Sequence, residues 1–95
     1  MAINSENTSN APLIKETVDI GIEAKVILFN DDYHSFDEVI AQIIKAIHCN
    51  FEHASSLAFQ AHVYGKAIVF SGDLAKCIEI SRILEEINLG TLVEY

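Results

Sequence analysis

Residues Asn30, Asp31 and Asp32 follow directly on Val26-Ile27-Leu28-Phe29, an apolar run suited to a buried strand. Adjacent like charges repel, and a purely structural turn more often uses one aspartate with a glycine, so the cluster is a candidate binding site. It offers an amide oxygen and two carboxylates, and His34 and His62 add imidazole nitrogens. Blander chemistry competes. Asn and Asp close Asx-turns and cap helices, and His62 alone, on a half-apolar helix face, reads as a packed histidine bonded to a carbonyl. Asp31, Asp32, His34 and His62 also form a set of oxygen and nitrogen donors, but D-D-x-H is not an established ligand spacing. With no HExxH or cysteine cluster beside it, no metal is expected.

The elements that position these residues follow from the pattern of the chain. Residues 1–22 are polar, rich in Asn, Ser, Thr and Glu, and read as a flexible N-terminal arm; the folded domain is expected over residues 23–95. A first strand spans residues 24–29. Ser35, with Glu38 three positions on, forms a capping box, and Phe36, Val39, Ile40, Ile43, Ile44 and Ile47 then make one apolar helical stripe. Asn50 caps a second helix that Gly65 ends, with Ala58, Ala61 and His62 on one face at i, i+3 and i+4. A short strand is expected over residues 67–70, a turn at Ser71-Gly72-Asp73, and a third helix burying Leu74, Cys77, Ile78, Ser81, Ile83, Leu84 and Ile87 up to Asn88-Leu89-Gly90. A last strand covers residues 91–95. The order β-α-α-β-α-β predicts an α+β two-layer domain, a three-stranded antiparallel sheet covered by three helices.

Composition narrows the partners. Ninety-five residues, 51% of them hydrophobic, make one domain with little room for a second site. A net charge of −8 without a basic cluster disfavours nucleic acid and anionic membranes, which both need a positive surface. No apolar run nears the roughly 18 residues of a membrane span, and the stretch MAINSENTSN has neither the basic n-region nor the apolar h-region of a secretory signal. Cys49 and Cys77 form no CxxC pair, so a cytoplasmic protein with reduced thiols is expected. No Ser, Cys or Thr pairs with a base and an orienting acid in a familiar motif, so the chain is read as a non-enzyme without a cofactor.

At "VILFNDDYHSFDEVI" followed by "LAFQAHVYGKAIVF", the sequence resembles the ClpS adaptor family over about residues 24–95. The resemblance implies an adaptor that binds proteins with a destabilising N-terminal residue, the N-degron, and delivers them to a Clp-family AAA+ unfoldase, with the N-terminal arm taking part in handover. It also implies that Asn30, Asp31 and His62 hold the substrate's α-amine. An α-ammonium, with a pKa of about 7.7–8.0, has three N–H donors and no acceptor, and this trio supplies acceptors. Asp32 is expected to support the loop. Phe36, Val39, Ala58 and Ala61 match the positions lining an apolar pocket for the first side chain, with Leu92 of the last strand closing it. The sequence departs from the commonest family pattern, which has methionines at Phe36 and Ala58, valine at Ala61 and threonine-proline at His34-Ser35. Large apolar N-termini remain the expected ligands, and His34 receives no role. The alternative is a factor-recruiting module like the C-terminal domain of ribosomal stalk proteins, with no amine pocket.

Overall fold

The computed structural model describes residues 21–95. The arm expected over residues 1–22 therefore lies, except for its last two residues, outside the described part. The elements run β1 (Glu23–Phe29), α1 (Phe36–Ile47), α2 (Phe51–Tyr64), β2 (Lys66–Asp73), α3 (Leu74–Glu85) and β3 (Thr91–Glu94). This is the expected order. The strands form one antiparallel sheet in the order β2-β1-β3, with β1 in the middle.

Alternation along β1 divides the sheet into two faces. Ala24, Val26 and Leu28 join the core beneath the helices, where they meet residues including Ile40, Ile43, Leu57, Ile80 and Leu84. Ile27 points the other way, between Ile68 of β2 and Leu92 of β3. The helices thus cover one face. On the other, Lys25 and Glu94 pair at 3.7 Å.

Each helix starts and stops for a local reason. The Ser35 hydroxyl accepts the Glu38 N–H at 3.1 Å, and Glu38 accepts the Ser35 N–H at 2.8 Å, so the capping box forms in full. His48, at φ 59°, ends α1 in the left-handed conformation, and the Asn50 side chain caps α2 by accepting the His53 N–H at 2.8 Å. Gly65, at φ 87°, ends α2; this backbone conformation disfavours a Cβ. Buried Gln42 donates to the Ile83 carbonyl at 2.6 Å and Lys45 meets Glu86 at 2.7 Å, which ties α1 to the end of α3.

Two expectations are corrected. The second strand extends through Ser71-Gly72 to Asp73, because a bulge at Val69 between the pairs Val26↔Phe70 and Ile27↔Ile68 lets pairing continue where a turn was expected. In α3 the core position is Ile80, fully buried, whereas Ile78 is 37% exposed. Leu74, Cys77, Ile80, Ser81 and Leu84 are the buried stripe. No helix among the described residues is long and apolar enough to cross a membrane.

Candidate functional site

The loop after β1 is pinned at both ends of its first peptide units. Phe29 donates its N–H to the Gly90 carbonyl at 2.9 Å, and Asn30 donates to the Gly65 carbonyl at 3.0 Å. The strand end is thereby held between the turn that closes α2 and the turn that opens β3. This brings Asn30 and His62, in the last turn of α2, onto one cavity.

Asp31 organises the rest of the loop. Its Oδ1 accepts the N–H groups of Tyr33 at 2.9 Å and His34 at 3.0 Å, an Asx-type turn. Its Oδ2 lies 2.7 Å from Nδ1 of His34, and the opposite ring nitrogen, Nε2, lies 2.6 Å from the carbonyl oxygen of Ile87 beyond α3. Partial burial raises the Asp31 carboxyl, but the two backbone amides and the imidazole outweigh it and hold the group below its ordinary value. The bond to Asp31 pushes His34 above the usual imidazole value against some desolvation, and the Ile87 carbonyl adds to the upward shift. The loop support expected of Asp32 thus comes from Asp31. Among the described residues, Asp32 makes no side-chain hydrogen bond, although it lines the cavity.

The cavity measures about 270 Å³. Its apolar wall includes Leu28, Phe36, Val39, Ala58, Ala61 and Leu89, and its polar rim is formed by Asn30, Asp31, Asp32, His34, Ser35 and His62. Phe36 sits on α1 but turns away from the core, 45% exposed, and its ring packs against that of His62 with centroids 5.2 Å apart. Ala58 and Ala61 lie beneath, almost fully buried. The arrangement joins hydrogen-bond acceptors to an apolar slot of side-chain size, which suits a ligand with a cationic donor at one end and hydrocarbon at the other.

Asn30, Asp31, Asp32, His62, Phe36, Val39, Ala58 and Ala61 all converge on this one cavity. Leu92 does not. It pairs with Ile27, on the sheet face away from the helices, and is 46% exposed. The strand's period of two carries it there: Thr91 pairs with Leu28, so its neighbour Leu92 must point to the opposite face. Leu89, 3% exposed in the turn before β3, closes the slot instead. The sequence signal for it is a lone leucine between Asn88 and Gly90, since an apolar residue in a polar turn needs something to cover.

The family model of the ATP-dependent Clp protease adaptor protein ClpS matches residues 22–88. Among solved structures, that of Agrobacterium tumefaciens ClpS2 bound to L-phenylalaninamide superposes with a TM-score of 0.72 at 19% identity, over 76% of this chain and 94% of that one. At that identity the likeness speaks for the fold. No curated protein matches the chain. The family match leaves the stalk-like alternative without support.

Proposed function

The chain belongs to the ClpS family of ATP-dependent Clp protease adaptors, and from that premise we propose that it captures proteins by a free N-terminal amine carrying a large apolar side chain and delivers them to a Clp-family AAA+ unfoldase. The observation that carries the reading is the meeting of Asn30, Asp31 and His62 at the rim of a cavity walled by Phe36, Val39, Ala58, Ala61 and Leu89. Asn30 offers its amide oxygen and His62 an unprotonated ring nitrogen. Asp31 offers its charge and the acceptor capacity left after three bonds within the loop, since a carboxylate has about four acceptor sites. The ligand of the similar Agrobacterium protein, L-phenylalaninamide, combines a free amine and a benzyl group, the two features for which this cavity is suited.

Discrimination rests on the donors. An acetylated terminus or an internal peptide unit brings at most one N–H to the rim and leaves acceptors unpaired, at about 1–3 kcal/mol for each buried group. Burial of a Leu or Phe side chain in the slot contributes roughly 1.5–3 kcal/mol. No bond in the substrate is made or broken, so the role is one of binding and transfer.

Short peptides beginning with Leu, Phe, Tyr, Trp, Ile or Val, free and N-acetylated, test the reading by calorimetric titration. Free peptides with large apolar first residues should bind and their acetylated forms should not. Equal binding of the two forms, or none at all, would sink it. Delivery is tested separately, by the rate at which a Clp protease degrades a reporter with an N-terminal Leu with and without the adaptor.

A further inference from the structure

His34 is a rim residue with no part in this reading, yet it makes the two shortest polar contacts of the loop. Both neighbours of its ring are acceptors: the Asp31 carboxylate at Nδ1, 2.7 Å, and the Ile87 carbonyl at Nε2, 2.6 Å. A carbonyl oxygen can only accept, so Nε2 carries a proton. A carboxylate accepts as well, so Nδ1 facing it is satisfied only when it too is protonated. The side chain is 15% exposed, which leaves water little access as a substitute partner.

We propose that His34 is a positioning residue for the pocket: its doubly protonated ring bridges the loop at 30–35 to the turn at 86–90, and so sets the distance between the amine-binding rim and Leu89. The bridge joins two segments 53 positions apart in sequence. On one side, Asp31 is the residue that folds the loop. On the other, Ile87 lies two residues before Leu89, which closes the slot. Loss of the bridge frees Asp31 to rotate and the Leu89 turn to drift outward, so rim and wall lose their register together. The inference rests on the amine-capture reading for its effect on binding, but the bridge itself does not.

Every charged or polar group facing the ring favours the imidazolium. Asp31 comes from its own loop, Glu38 from the first turn of α1, and the Ile87 carbonyl from the segment after α3. A rise in pH through the titration of His34 therefore removes one proton from a ring that needs two. The Nδ1 contact then sets a nitrogen lone pair against a carboxylate, and the bridge loosens.

Two measurements on the full chain decide the matter. Nitrogen NMR of the His34 ring, followed with the amides of Asn30 and Leu89 across pH 5.5–9, should show both ring nitrogens protonated at neutral pH. Both amides should shift along the same curve, and in His34→Gln, which keeps a donor but cannot bridge, that curve should vanish. A peptide with a free N-terminal Phe should bind His34→Gln about ten-fold more weakly than wild type at pH 6. The ratio should shrink towards unity as pH rises past the His34 titration, because only wild type has a bridge to lose. A ring that titrates at or below the ordinary imidazole value, a Leu89 amide that ignores it, or an affinity ratio independent of pH would overturn the proposal. If wild type binds no free-amine peptide while ring and amides titrate together, the amine-capture reading falls and the bridge stands.

Discussion

The rings of Phe36 and His62 meet edge to face, with centroids 5.2 Å apart and planes 63° to one another. One comes from the first turn of α1 and the other from the last turn of α2, so the contact couples the wall of the slot to its polar rim. Such pairs contribute about 0.5–1.5 kcal/mol beyond area burial. Phe36→Ala should weaken binding of free-amine Phe and Leu peptides roughly ten-fold by removing wall area and freeing His62 to rotate. The melting temperature should move little, since Phe36 is 45% exposed and outside the core. Unchanged affinity in calorimetry would mean that Phe36 only caps a void.

Ala58 and Ala61 set the depth of the slot, because their methyl groups form its floor on α2. Ala58→Met and Ala61→Val add bulk that can extend into the 270 Å³ cavity rather than into packed core. Destabilisation should therefore stay below the roughly 1–3 kcal/mol of ordinary overpacking. Affinity for peptides beginning with Trp or Tyr should fall about ten-fold, and for those beginning with Leu or Val about three-fold or less. Equal losses across the series would show that the added groups do not reach the first side chain.

Stability should carry the pH signature of the Asp31–His34 pair. Asp31 titrates below its ordinary value of 3.8 in the fold, so its contribution is present above that value and lost as pH falls through the lowered pKa. His34 titrates above its ordinary 6.5, so its contribution is complete below 6.5 and lost as pH rises through the raised pKa. Asp31→Asn keeps an oxygen for the Asx-turn and removes the charge. Denaturant unfolding of wild type and Asp31→Asn should differ most between about pH 4 and 6.5 and converge on either side. A constant difference would assign the effect to the turn rather than to the ion pair.

What could be read before the structure depended on how far each signal acts. Ser35 and Glu38, Asn50, and Gly65 are local devices whose partners lie within four positions, and each one forms as read. The convergence of Asn30 with His62 is long-range and came from family resemblance, not from periodicity. The sequence does not separate Leu92 from the pocket, because a strand's two faces cannot be told apart when both carry apolar residues: Leu92 meets Ile27 on the uncovered face while Val93 meets Val26 in the core. Ile80 and Ile78 are hard to rank from sequence for a similar reason, as Cys77, Ile78, Ile80 and Ile83 offer more apolar positions than one helical stripe can bury. The division of labour between Asp31 and Asp32 depended on which carboxylate faces the amides of residues 33 and 34, a property of the folded loop.

Two glycines separate stability from binding. Gly72 has ordinary backbone, but a Cβ there would sit 2.9 Å from Cε2 and 3.0 Å from Cζ of Phe70, whose ring packs on the core. Gly72→Ala must displace that ring, which corresponds to about 1–3 kcal/mol of overpacking. Neither residue lines the cavity, so peptide affinity should hold. Gly65 meets nothing within 4 Å of its missing Cβ, and its restriction is the backbone at φ +87°, where an L side chain adds about 1–2 kcal/mol of strain. Its carbonyl also accepts the Asn30 N–H at 3.0 Å. Gly65→Ala should therefore lower both the melting temperature and the affinity for a free-amine Phe peptide, because any relief of the strained turn shifts the carbonyl that seats Asn30. Matched melts and titrations of the two variants check this contrast. An affinity loss in Gly72→Ala equal to that in Gly65→Ala would trace it to general destabilisation and not to the seating of Asn30.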